Sequence, residues 1–198
     1  VGTFTDDDFA KVEEAFADVV RDLTRDPLDF LMITGELFLS YRGPGSDRLV
    51  LDSVREISPV KTSTVLTAVV RALKSLDLYR VVMASPFPHD QDENLIRFLD
   101  HYNIEVAANR GLGYDNTQEI WELPAETGYD LATAVLEECP NVDGIYMPCN
   151  KWRVSSVIER LEADLGKPVI TNTQAWIWEA LTGLGLSPSL PGYGMLLK

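Results

Sequence analysis

Cys149 stands just past the apolar run Gly144-Ile-Tyr-Met147, with only Pro148 between them, and shortly before Val154, Val157, Ile158, Leu161 and Leu165, which are spaced as one face of a helix. A thiol between a strand and a helix meets backbone N–H groups and the positive end of the helix dipole, which lower its pKa and suit it to acid or nucleophile chemistry. Free cysteine is as often an inert core residue, so position alone leaves both roles open. Cys139, at a helix end before Pro140, has no comparable setting and reads as structural. Glu36 follows Gly35 at the end of the run Asp29-Phe-Leu-Met-Ile-Thr34, where a carboxylate with a raised pKa acts as acid or base. A solvated loop carboxylate is the plainer reading. Asn116 and Asn172 can hold a substrate carboxylate through their amide N–H groups, although asparagine is also a common turn residue. The glycines of Gly111-Leu-Gly113 lack the third glycine of a dinucleotide loop, because position 116 is Asn116.

Helical and strand patterns alternate along the chain, which points to an α/β fold with a parallel sheet covered by helices. Thr5, followed by three aspartates, caps a first helix carrying Phe9, Val12, Phe16, Val19 and Leu23, and Gly35 to Pro44 forms the loop after the first strand. Helices are predicted at about Arg48 to Ile57, through Leu66 to Leu76, around Leu95 to Leu99, at Ala125 to Glu138, through Val154 to Leu165, and at Ala175 to Leu184. Strands are predicted at Arg80 to Ala84, Ile104 to Ala108, Gly144 to Met147 and Lys167 to Ile170. In such a sheet the strand exits gather at one edge, where ligands bind. Four exits carry candidates: Gly35-Glu36, Ser85-Pro86-Phe87, Pro148-Cys149-Asn150 and Thr171-Asn172-Thr173.

The net charge of -14 disfavours nucleic acid and anionic lipid, and no Lys/Arg cluster reverses it locally. With 45% apolar residues but no unbroken apolar span, a globular rather than a membrane-inserted chain is expected. The partner is then a small molecule or a protein, and a homo-oligomer is possible. An anionic substrate would need positive potential from backbone N–H groups and helix N-termini. Two histidines are too few for a histidine-based metal site, and two unpaired-looking cysteines suit a reducing, cytoplasmic setting.

The stretch Ile33-Thr-Gly-Glu-Leu-Phe-Leu-Ser-Tyr-Arg-Gly43, the run Arg80-Val-Val-Met-Ala-Ser-Pro-Phe87, Cys149, the stretch Gly166-Lys-Pro-Val-Ile-Thr-Asn-Thr-Gln-Ala175 and Gly192-Tyr-Gly194 follow one another in an order and spacing that resemble a known series. The resemblance is to the arylmalonate decarboxylase and maleate isomerase branch of the aspartate/glutamate racemase superfamily. It implies two similar lobes, each a parallel sheet flanked by helices, with the site in the cleft between them and no metal or organic cofactor. Residues 1–78 with 179–198 would form the first lobe and 79–178 the second. The family's opening strand and its Pro-x-x-Asn loop have no counterpart here, so a longer protein or a reduced site is expected.

By the same resemblance, Gly35 takes the place of the first-lobe cysteine of racemases and maleate isomerases, and Cys149 that of the second. A lone second cysteine resembles the decarboxylase, in which it protonates an enediolate. Glu36 and Leu37 replace hydroxyl donors, and Phe87 replaces a tyrosine, each such donor being worth roughly 3 kcal/mol at comparable sites. Arylmalonate turnover as such is therefore not expected, and a charged Glu36 would repel a dicarboxylate. The expected function is a cofactor-independent lyase or isomerase of a small carboxylic acid. Cys149 and Glu36 would be its acid/base groups, and Asn116, Asn150, Asn172 and the N–H groups after Cys149 its carboxylate holders. The alternative is a catalytically reduced relative that binds a metabolite or a protein.

Overall fold

Short buried apolar runs form the strands, because in a parallel sheet both faces are covered and the alternation of exposed polar residues disappears. A computed structural model describes residues 6–198, so the Thr5 cap lies outside the described residues. Strand β1 (Leu31–Ile33) pairs in parallel with β2 (Thr62–Thr64), Leu31 opposite Thr62 and Ile33 opposite Thr64. Strands β3 (Arg80–Ser85), β4 (Glu105–Gly111), β5 (Gly144–Met147) and β6 (Val169–Thr171) form a second parallel sheet in the order β4-β3-β5-β6. Every residue of β5 is buried, which fits its central place.

Around the small sheet lie α1 (Asp6–Leu23), α2 (Glu36–Tyr41), α3 (Ser46–Ile57) and α4 (Val65–Ser75). The larger sheet carries α5 (His89–His101), α6 (Thr117–Glu122), α7 (Ala125–Glu138) and α8 (Ile158–Leu165). Helix α9 (Asn172–Gly183) leaves β6 and packs on α4. A short 3-10 turn, Met195–Leu197, packs on α9 within the otherwise irregular tail.

Four local expectations change. Gly35 to Pro44 is not a loop, since Glu36–Tyr41 closes into α2. The small sheet needs β2, whose sequence Thr62-Ser-Thr64 is polar and gives no apolar signal. The loop after Gly111 ends in α6 rather than running on. Thr171-Asn172-Thr173 is not an exit loop, because β6 runs straight into α9 with Thr171 and Gln174 forming a reciprocal capping box. In the small sheet β2 runs into α4 in the same way, and the Thr64 side chain accepts from Thr67 N–H. The two lobes thus repeat one strand-to-helix device.

Asp47 of α3 ties the lobes together. Its carboxyl group accepts from the Tyr102 hydroxyl at 2.6 Å and from Thr67 Oγ1 at 2.8 Å, so this buried group is hydrogen-bonded on both oxygens. Arg71 of α4 pairs with buried Glu179 of α9 at 2.6 Å.

Candidate active site

Pro148 ends β5, and the chain turns at Cys149 with φ of +82°. Few non-glycine residues adopt this conformation, which costs roughly 1–3 kcal/mol and gathers at functional sites. The turn brings the N–H groups of Lys151 and Trp152 to bear on the sulfur. At the matching place in the first lobe, after β1, Gly35 has φ of +109°. A Cβ there would meet only Phe38 Cβ, at 3.8 Å, so backbone conformation and not crowding is what calls for glycine.

Glu36, one residue on, opens α2 and is 7% exposed. Burial raises its pKa, while its own N–H, the N–H of Asn150 and the amide of Asn172 pull the other way without cancelling that effect. Asn172 is fully buried at the first position of α9. Its Oδ1 accepts from the Tyr146 hydroxyl at 2.8 Å, which fixes the amide and turns Nδ2 away from Tyr146. Nδ2 makes no hydrogen bond of strict geometry, so its hold on the Glu36 carboxyl is a loose one.

The thiol overturns the expectation of a lowered pKa. Burial, and then the charge of Glu36, push Cys149 up to about 12, outweighing the two N–H groups and the Lys151 ammonium. The strand-to-helix position does supply donors, but Cys149 as a residue is only 5% exposed and the loss of water dominates. At neutral pH Cys149 is a thiol.

Of the residues expected at a site, the fold brings together Cys149, Glu36, Asn172 and the backbone of Asn150, with Gly35 next in chain. Others have different work. Leu37 packs half-buried against the core, and Phe87 is a core residue whose N–H donates to Ser85 Oγ at 3.0 Å. Asn116 caps α6, its Oδ1 accepting from Gln118 N–H at 2.9 Å.

Sequence reasoning missed Tyr146, Lys151, Trp152 and Arg153. Asn150, Trp152, Arg153, Thr173 and Tyr193 line a cavity of about 550 Å³ that reaches the residue after Cys149 but is not lined by Cys149, Glu36 or Asn172 themselves. The Arg153 guanidinium and the Lys151 ammonium lie 5.1 and 5.9 Å from the Trp121 ring centre, so two cations stand near this opening on an otherwise acidic protein. Their signal was the run Lys151-Trp-Arg153, which begins two residues past the candidate cysteine. Asp92 was missed as well. It is fully buried in the first turn of α5, accepts from Asn109 Nδ2 at 3.0 Å, and is pushed up to about 6 by burial. No group of three His, Cys, Asp or Glu side chains suited to a metal ion occurs among the described residues.

A model of the arylmalonate decarboxylase family matches residues 1–197. The chain belongs to that family. Over 198 residues it is 28% identical to an arylmalonate decarboxylase of Bordetella bronchiseptica, an alignment covering 99% of this chain and 82% of the relative. A maleate isomerase of Nocardia farcinica is 26% identical over 162 residues, covering 79% of this chain and 64% of that protein. Among solved structures, a liganded double mutant of arylmalonate decarboxylase superposes with a TM-score of 0.92 at 26% identity, over 98% of this chain and 83% of the other. The resemblance stated from the sequence and the two-lobed α/β architecture are therefore correct. The chain is an enzyme of the decarboxylase and isomerase group to which these relatives belong.

Proposed function

We propose that this family member is a cofactor-independent lyase or isomerase that moves a proton at the carbon next to a small substrate's carboxylate. The observation that carries the reading is Cys149: a buried thiol in a strained turn, kept protonated, beside a second buried acid. A protonated thiol in a dry pocket suits delivery of a proton to an enediolate, and it argues against resting thiolate attack. Glu36, whose pKa is raised, is the second acid/base group. Asn172 and the Asn150 N–H supply the donors that hold a carboxyl group, and Lys151 with Arg153 draws the anion to the cavity. Asn116, as the cap of α6, has the weakest claim to a binding role.

Two free cysteines suit a cytoplasmic enzyme, with residues 1–78 and 179–198 as one lobe and 79–178 as the other. The deep burial of Cys149 favours one competing reading, a reduced relative that binds a small carboxylate without turnover. A screen of substituted malonates, maleate and monocarboxylic acids, following carbon dioxide release and exchange of the α-proton into deuterium oxide, separates the two. Turnover that falls roughly 10²- to 10⁴-fold in Cys149→Ala supports the enzyme. Full activity in that variant removes Cys149 from the chemistry.

A further inference from the structure

The Glu36 carboxyl and a substrate carboxylate compete for the same donors. Glu36 is almost fully buried, its side chain reaches the N–H of Asn150 on the far lobe, and the amide of Asn172 lies on it. The Asn150 N–H is one of the groups assigned above to a substrate. Asn172 is held in place by Tyr146, with its Nδ2 buried and short of a well-formed partner. A donor left so is expensive in a dry site unless a carboxyl group completes it. The side chain of Glu36 is such a group and is covalently part of the protein. A substrate carboxylate at this position would displace it or sit against it with the same charge, and neither is favourable at low dielectric.

From these contacts we infer that Glu36 is a built-in occupant of one carboxylate position, so that the site takes substrates bearing a single carboxylate and excludes dicarboxylates. The inference rests on the reading of this crevice as the substrate site, and it deepens that reading by naming the substrate class. Exclusion here is by occupancy: the side chain fills the place whether or not it is charged.

Binding of malonate, measured by isothermal titration at pH 7, tests this without turnover. In Glu36→Ala, malonate is expected to bind at least tenfold more tightly than in the wild type. Glu36→Gln fills the same space without charge, and its malonate affinity should stay within about threefold of the wild type. Equal affinity in wild type and Glu36→Ala overturns the inference. Tight binding by Glu36→Gln also overturns it, because charge alone would then have been the barrier.

If Glu36→Ala does not fold, crystals of the wild type soaked in malonate decide. Glu36 unmoved, with no malonate on the Asn150 N–H, supports the inference, and malonate there with Glu36 swung aside overturns it. The occupancy claim and the catalytic claim fail separately: a binding gain with no turnover of any acid in the screen would remove only the second.

Discussion

Glu36 and Asn150 hold equivalent places in the two lobes, each one residue past a positive-φ turn at a strand exit, and the N–H of one reaches the carboxyl of the other. This contact joins the two strand exits, and the same Glu36 carboxyl acts electrostatically on Cys149. The Cys149 thiol is raised first by burial and second by Glu36. Glu36→Gln removes only the second cause, so the thiol pKa should fall yet remain above that of an exposed cysteine. In a Cys139→Ser background, which leaves one free thiol, the rate of alkylation against pH should rise at lower pH in the variant. An unchanged profile would mean that the carboxyl carries no charge where the thiol titrates.

Asp92 gives a dependence of opposite sense to that of most salt-bridged carboxylates. Its folded pKa of about 6 lies above the ordinary 3.8, so between these values the folded chain holds a proton that the unfolded chain has released. Stability contributed by this group is therefore present at pH 4 and is lost as pH rises toward 6, by an amount on the order of 2 kcal/mol. Asp92→Asn keeps the hydrogen bond to Asn109 in altered form and removes the titration. Thermal melts from pH 4 to 8 should show the variant gaining on the wild type across that window. Parallel curves would contradict the assignment.

How much of this was legible beforehand follows from where the signals reside. The strands β3 and β5 and the helix α7 were readable because apolar runs and helical periodicity are local. β2 was not, because Thr62-Ser-Thr64 is a strand only through its pairing with β1 and its polar side chains advertise a turn. The place of Cys149 between strand and helix is legible in the sequence, but the direction of its pKa shift is not: donors are visible along the chain, while burial is not. Tyr146 was hidden for the same reason. It reads as one more apolar strand residue until its hydroxyl meets Asn172, 26 residues later.

Gly128 in α7 is a point where that long-range packing is tight. A Cβ there would lie 2.5 Å from Val154 Cγ1, 3.0 Å from Met147 Cε and 3.2 Å from Trp152 Cζ2, all in or beside the turn that carries Cys149. Gly128→Ala should therefore destabilise by roughly 1–3 kcal/mol, lowering the melting temperature by about 2–10 °C, despite alanine's better helix propensity. Shortening the main obstacle with Val154→Ala in the same chain should restore part of the loss. A single variant as stable as the wild type would show that the turn moves aside freely.

Tyr146→Phe tests whether the amide of Asn172 must be held. The hydroxyl is buried and donates to Asn172 Oδ1, and its own ionisation is strongly disfavoured by burial and by Glu36, so it acts as a fixed donor and not as an acid. Phenylalanine keeps the ring packing and leaves a buried amide oxygen unpaired, a loss of about 1–3 kcal/mol. With its anchor gone the amide can rotate and present oxygen instead of N–H to the carboxyl of Glu36. Malonate titrations of the Glu36→Ala protein with and without Tyr146→Phe then separate positioning from mere stability. Affinity for malonate should drop several-fold in the double variant if the tyrosine orients the amide. A melting temperature that falls while affinity holds would assign Tyr146 to the core alone.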